Sequence, residues 1–264
     1  MSILEFNGAR IAYYESDDRE DKTEGFPVVF VHGAGSSHAI WGIQVKVFRR
    51  SHRVITIDLS GHAASELTEG EPDIKEGFAK EVAALVEHLD LENFVLVGHS
   101  MGGAVVMAYV LNKEFRSPRA IALVNTTAEL NLTKLTPGLA IEAVEEAFVR
   151  LKAKLQGKDT MALRIINEEK KMKDENPEMM LRDLKACAKF NVSERLSEIE
   201  VPTLIIHGKD DDIVRAGYAQ QLEKSIKRSD IAFVKGADHQ PHVERPVQFN
   251  VLLKRFLDWV DKNT

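Results

Sequence analysis

The stretch Phe94-Val95-Leu96-Val97-Gly98-His99-Ser100-Met101-Gly102-Gly103 runs from an apolar segment, through a turn with glycines on both sides of a serine, into the apolar run ending at Leu111. Phe94–Gly98 is short, valine-rich and apolar throughout, which predicts a strand buried on both faces. Ser100–Leu111 is apolar nearly all round, which predicts a central helix packed against the sheet. A serine between such a strand and such a helix sits on a sharp turn, whose crowded backbone tolerates only small neighbours, hence Gly98 and Gly102. The turn lifts the hydroxyl clear of the sheet, and the helix N-terminus favours negative charge developing nearby. A glycine-rich turn with an incidental serine is the plainer account, and the strand–turn–helix context argues against it.

Outward from this turn, short β-branched runs alternate with helical patterns, as in a mostly parallel sheet covered on both faces. Ile3–Phe6 and Arg10–Tyr14 flank Asn7-Gly8, a hairpin signal. Val28–His32, Val54–Asp58, Ala120–Asn125, Thr203–Gly208 and Ile231–Lys235 read as further buried strands, with Pro27 and Pro202 just before two of them. Ile74, Phe78, Val82, Leu85 and Leu89 share one helical face, as do Leu252, Phe256 and Trp259/Val260. From about Thr127 to Asn191 no convincing strand occurs. Helical stripes run there instead, Val144, Phe148, Leu151 and Leu155 in one and Met180, Leu184 and Cys187/Ala188 in another, with breaks at Gly157 and Asn176-Pro177. The expected organisation is an α/β core from residues 1–126 and 192–264, with a helical insertion over 127–191.

With 264 residues, 44% hydrophobic and 29% charged, the chain is that of an ordinary core-forming protein. Its net charge of −6 argues against nucleic-acid binding, which needs a basic surface. The N-terminus lacks a basic start followed by an apolar signal core, and no apolar run approaches the roughly 20 residues that span a bilayer. A cytoplasmic protein without membrane insertion is expected. The single cysteine, Cys187, forms no intrachain disulfide and, flanked by Ala186 and Ala188, reads as a packing residue rather than a catalytic thiol.

A serine nucleophile needs a base, and the base an orienting acid. Among nine histidines His239, directly after the last expected strand, is best placed. His242 is the alternative; His99 points away from the serine on any tight turn, and His207 ends a strand and reads as structural. Asp210, Asp211 and Asp212 follow Gly208, and spacing alone does not rank them; Glu129 is a weaker option. Oxyanion donors are expected from backbone amides: Ala34, in the loop His32-Gly33-Ala34-Gly35, paired with Met101. His32 itself reads as a brace for that loop.

These motifs together resemble the α/β-hydrolase superfamily, in its cap-bearing carboxylesterase and C–C hydrolase branch. His32-Gly33-Ala34-Gly35-Ser36-Ser37 with Trp41 resembles the oxyanion loop, and Arg53–Asp58 with Leu59-Ser60-Gly61-His62 the fourth strand and its turn. Val201-Pro202-Thr203-Leu204 leading into Gly208 resembles the approach to the acid, and His239-Gln240-Pro241 with Glu244-Arg245-Pro246 the histidine loop. In that pattern the acid stands three residues after the glycine, which singles out Asp211. The chain departs from it at Ala63, where a glycine is usual after Gly-His, so that loop is expected to be reshaped, and at Arg215, where the usual proline is missing. The resemblance implies that the insertion caps the serine, with Met161, Met172, Met179, Met180, Phe148 and Phe190 either lining an acyl pocket or simply holding the cap together. It implies a serine hydrolase acting on a small ester or related acyl substrate, with no metal or organic cofactor. C–C hydrolysis, thioester hydrolysis and perhydrolysis are alternatives for the same triad. A non-catalytic ligand-binding protein and a membrane-associated lipase are alternatives of other classes.

Overall fold

The computed structural model describes residues 1–129 and 161–264, with Glu146, Val149, Arg150, Lys152 and Ala153 between them. Eight strands form one sheet: β1 (Ser2–Phe6), β2 (Ala9–Ser16), β3 (Val28–Val31), β4 (Val54–Ile57), β5 (Val95–His99), β6 (Ala120–Val124), β7 (Thr203–Gly208) and β8 (Ser229–Val234). Their spatial order is β1-β2-β4-β3-β5-β6-β7-β8. β1 and β2 form an antiparallel hairpin turned by Asn7 and Gly8, both at positive φ as a tight two-residue turn requires, and β2 runs antiparallel to β4. All other pairs are parallel.

Strand alternation divides the core into two layers. Val29, Val31, Leu96, Leu123 and Ile205 face one layer, filled by α2 (Ala79–His88), α3 (Met101–Leu111) and α6 (Ala216–Ser225). Val28, Phe30, Val95, Val97 and Ile206 face the other, filled by α1 (Gly42–Phe48), the short α7 (Pro241–Glu244) and α8 (Pro246–Asn263). Both strand faces are covered, so these strands read as unbroken apolar runs. Between β6 and β7 the chain contributes α4 (Met161–Glu175) and α5 (Pro177–Lys189); Asn176 caps α5 by accepting the Met179 amide, and Pro177 occupies its first turn. Ile165 and Ile166 of α4 join one layer, while Ala186 and Cys187 of α5 join the other. Backbone pairing of Glu129 with Asn191 closes the neck of this segment.

Three expectations are corrected. β8 is not a buried strand: it is the sheet edge, and only Val234 in it is buried. The buried face of α8 is Phe249, Leu253, Leu257 and Val260, with Trp259 44% exposed, so the expected stripe lay to one side of the real one. On α5 the buried face is Met179, Met180, Asp183, Ala186 and Cys187; Met180 and Cys187 of the expected stripe lie on it, whereas Leu184 is half-buried and Ala188 exposed. The stripe over Val144, Phe148, Leu151 and Leu155 and the break at Gly157 lie outside the described residues. No helix among the described residues is long and apolar enough to cross a membrane.

Parallel register brings five strand ends to one edge. Val31 lies beside Gly98, His99 beside Val124, and Val124 beside Ile206. The loops carrying His32–Gly35, Ser100, Asn125, Asp211 and His239 therefore all leave the same, C-terminal edge, where ligands bind in open parallel sheets.

Candidate active site

Ser100 occupies the single position between β5 and α3, with φ 52° and ψ −116°. Such a conformation costs a non-glycine residue about 1–3 kcal/mol and persists only where surroundings enforce it. Its amide donates to the Val124 carbonyl at 2.9 Å, and its carbonyl accepts from Thr126 Oγ1 at 2.8 Å. The flanking glycines are sterically required: a Cβ on Gly98 would strike the Gly102 carbonyl, and one on Gly102 the carbonyls of Val31 and His32.

Of the three adjacent aspartates only Asp211 is buried; Asp210 and Asp212 are exposed. Asp211 Oδ1 accepts the amides of Ile213 at 2.8 Å and Val214 at 2.9 Å. Its Oδ2 accepts from Asn125 Nδ2 at 2.6 Å and faces His239 Nδ1 at 2.9 Å. A carboxylate can only accept, so Nδ1 carries the proton and Nε2 keeps its lone pair. Burial would raise the Asp211 pKa, but the His239 charge and these donors outweigh it and the pKa is lowered. Burial would likewise depress His239, yet the facing carboxylate wins and its pKa is raised.

The His239 loop is fixed by a residue that the sequence placed in the histidine loop without assigning it a role. Glu244 accepts the amide of Asp238 at 3.0 Å and of Gln240 at 3.1 Å, bracketing the histidine. His99 Nε2 donates to the His239 carbonyl at 2.8 Å, with ring centroids 4.9 Å apart. Among the described residues the Ser100 hydroxyl makes no hydrogen bond, so the link from the serine turn to His239 runs through His99. His242, the alternative base, is buried and stacked on Trp41 at 4.3 Å, and burial pushes its pKa down to about 3. Among the described residues it meets no carboxylate that would hold it charged. His207 Nε2 donates to the Val214 carbonyl at 2.8 Å and braces the Asp211 loop. Asn125, at φ 44°, was hidden in an expected strand; besides Asp211 it accepts the Gly208 amide at 3.0 Å, tying two strand ends together. Asparagine just past a buried strand, tolerant of left-handed backbone, is the signal that marks it.

The His32–Gly35 loop packs directly on the serine turn, since a Cβ on Gly33 would lie 3.2 Å from that of Ser100. His32 Nε2 accepts the Leu59 amide at 3.1 Å, so its Nδ1 carries the proton and donates to the Gly33 carbonyl at 2.8 Å. Burial lowers its pKa to about 4, which keeps this brace neutral. Holding the Gly33 carbonyl on one side turns the amide of the same trans peptide, that of Ala34, to the other. Among the described residues neither the Ala34 nor the Met101 amide donates a hydrogen bond, leaving two donors without a partner beside Ser100.

The inserted segment reaches this edge too. Met180 and Lys173 pack against Gly35, Gln240 Nε2 donates to Glu169 Oε2 at 3.1 Å, and Arg150 Nε to Asp238 Oδ2 at 3.2 Å. Met179, Met180 and Phe190 are buried, while Met161 and Met172 are half-buried; Phe148 lies outside the described residues. Cys187 is buried and burial pushes its thiol pKa up, so it packs rather than reacts. At Ala63 the backbone takes φ 45°, the left-handed value that a glycine there would adopt freely. Among the described residues no group of three or more His, Cys, Asp or Glu is placed to hold a metal.

The sequence model of the alpha/beta hydrolase family matches residues 28–251. The chain is 27% identical over 253 residues to the AB hydrolase superfamily protein YisY of Bacillus subtilis, covering 90% of this chain and 93% of that one. It is 32% identical over 223 residues to a non-heme chloroperoxidase of Burkholderia pyrrocinia, covering 76% and 79%. Among solved structures, Est816, described as an N-acyl homoserine lactone degrading enzyme, superposes with a TM-score of 0.78 at 25% identity, covering 97% of this chain and all (100%) of that one.

Proposed function

Because the chain belongs to the alpha/beta hydrolase family and is a hydrolase, we propose that it cleaves a small carboxylic ester or lactone through Ser100, His239 and Asp211. The observation that carries this reading is the Asp211–His239 pair at 2.9 Å, which engages Nδ1 and leaves Nε2 free at the same strand edge that presents Ser100. His239 Nε2 takes the Ser100 proton as Oγ attacks the substrate carbonyl. The amides of Ala34 and Met101 hold the oxyanion, and Asp211 stabilises the imidazolium. The imidazolium returns its proton to the departing alkoxide, leaving an acyl-enzyme. Water, deprotonated by His239, then attacks the acyl carbon and releases the acid and the free Ser100 hydroxyl.

In this reading the insertion over 127–191 is a helical cap. Its Met180, against Gly35, supplies an adaptable thioether wall beside the oxyanion loop. Perhydrolysis, with hydrogen peroxide in place of water in the second half, is a second reading, favoured by the likeness to the chloroperoxidase. A serine-directed fluorophosphonate, run beside p-nitrophenyl esters of increasing acyl length, tests the proposal. Labelling at Ser100 with ester turnover supports it; a folded protein that neither labels nor turns over esters refutes it. Adding peroxide and following peracid formation separates the second reading.

A further inference from the structure

Asp183 is a charged residue in the centre of the buried face of α5, and its side chain is 0% exposed. Its Oδ2 accepts the Gly35 amide at 2.8 Å and lies 2.7 Å from His62 Nε2. The other His62 nitrogen, Nδ1, faces the carbonyls of Leu59 at 3.2 Å and Ser60 at 3.1 Å. Both ring nitrogens thus meet acceptors, so both carry protons and His62 is an imidazolium. Burial alone would depress its pKa, but the Asp183 carboxylate outweighs burial and raises it. The other charged or titratable groups facing it are Arg182 of α5, which donates to the Ser60 carbonyl at 2.8 Å, Glu81 of α2, which accepts the Ser60 amide at 2.8 Å, and His32 after β3.

A buried ion pair is a poor way to stabilise a helix interface, because an apolar pair of the same volume does as well or better. What a carboxylate at this position does and a leucine does not is accept the Gly35 amide. Gly35, at φ +61°, follows Ala34 directly. The Gly33 carbonyl is held from the core side by His32, and the Gly35 amide from the insertion side by Asp183. The Ala34 residue between them is clamped at both of its peptides, and a planar peptide held at one end is oriented at the other.

We infer that Asp183 is a positioning residue for the oxyanion hole: the inserted segment supplies a carboxylate, neutralised by His62, that fixes the Ala34–Gly35 peptide and so aims the Ala34 amide at the Ser100 site. The inference rests on the serine-hydrolase reading. It means that the insertion completes the catalytic geometry as well as covering it.

The test compares Asp183→Leu and Asp183→Asn with the wild type in ester hydrolysis. Asp183→Leu removes the acceptor and is expected to lower kcat about 10- to 100-fold with KM within about twofold, since an oxyanion donor acts in the transition state. Asp183→Asn keeps an amide oxygen in the place of Oδ2, where it accepts from the Gly35 amide and from the Nε2–H of a neutral His62, so kcat returns to within about threefold of wild type. The same pair predicts a pH signature. In the wild type, raising pH through the elevated His62 value leaves Asp183 unpaired and loosens the loop, so kcat falls on the alkaline side; in Asp183→Asn that loss is absent. Should Asp183→Leu fail to fold, the alkaline limb of Asp183→Asn decides alone. Wild-type kcat in a folded Asp183→Leu, or the same alkaline behaviour in Asp183→Asn as in the wild type, overturns the inference. A wild type that neither labels with fluorophosphonate nor hydrolyses esters would instead bring down the serine-hydrolase reading beneath it.

Discussion

At Ser100 a left-handed backbone, a glycine on either side and a free hydroxyl come together, and each has its own consequence. Ser100→Ala keeps every backbone bond of the turn, so it should fold normally and lose about three or more orders of magnitude in kcat/KM. In the proposed mechanism His239 acts as a base only when neutral, and its pKa lies above the ordinary imidazole value of 6.5 because Asp211 faces it. Activity should therefore fall as pH drops through that raised value and recover above it, until the alkaline loss expected of the His62–Asp183 pair sets in. Asp211→Asn removes the carboxylate that does the raising, so the acid limb of kcat/KM should move to lower pH as the rate falls by about 10⁴. A limb left in place would mean that another group controls it. Ala63 carries a left-handed φ of 45° on the surface. Ala63→Gly should relieve up to about 1 kcal/mol, visible as a higher Tm in thermal unfolding.

At the scale of elements, the site is a set of strand ends, and its precision depends on how closely β3, β5 and α3 approach. A methyl on Gly102 meets two backbone carbonyls that cannot yield. Gly102→Ala should cost about 1–3 kcal/mol by chemical denaturation and reduce fluorophosphonate labelling at Ser100. The strands that cross the middle of the sheet were legible because burial on both faces leaves a continuous β-branched signature. The position of Ser100 was legible because it directly follows such a strand, and that of His239 because it follows the last strand, the sheet-edge β8. The two insertion-side partners, Asp183 and Glu169, were not. A helical stripe is found by tracing apolar residues, and a buried carboxylate breaks the trace; on α5 it displaced the expected face from Asp183 onto Leu184. Asp211 could not be told from Asp210 and Asp212 by spacing for a related reason. Which of three adjacent carboxylates turns inward is set by Asn125, 86 positions away in the chain.

For the molecule as a whole, the sheet separates two apolar layers that, among the described residues, share no buried side chains. Leu85 belongs to one and Leu253 to the other, and both are fully buried. Each truncated to alanine should cost about 2–5 kcal/mol. In the double variant the costs should add to within about 0.5 kcal/mol if unfolding is two-state; a marked departure would show that the layers communicate through the sheet. The backbone pairing of Glu129 with Asn191 adds a different kind of consequence. It makes the segment between them a module that leaves and re-enters the scaffold at one point, so changes in its length cost little closure entropy. In evolutionary terms this is a socket into which other helical segments can be recombined without disturbing the sheet. On the inference drawn for Asp183, such a graft carries one condition. The incoming helix must bring its own acceptor for Gly35 and counter-charge for His62, or the exchanged enzyme will fold well and react slowly.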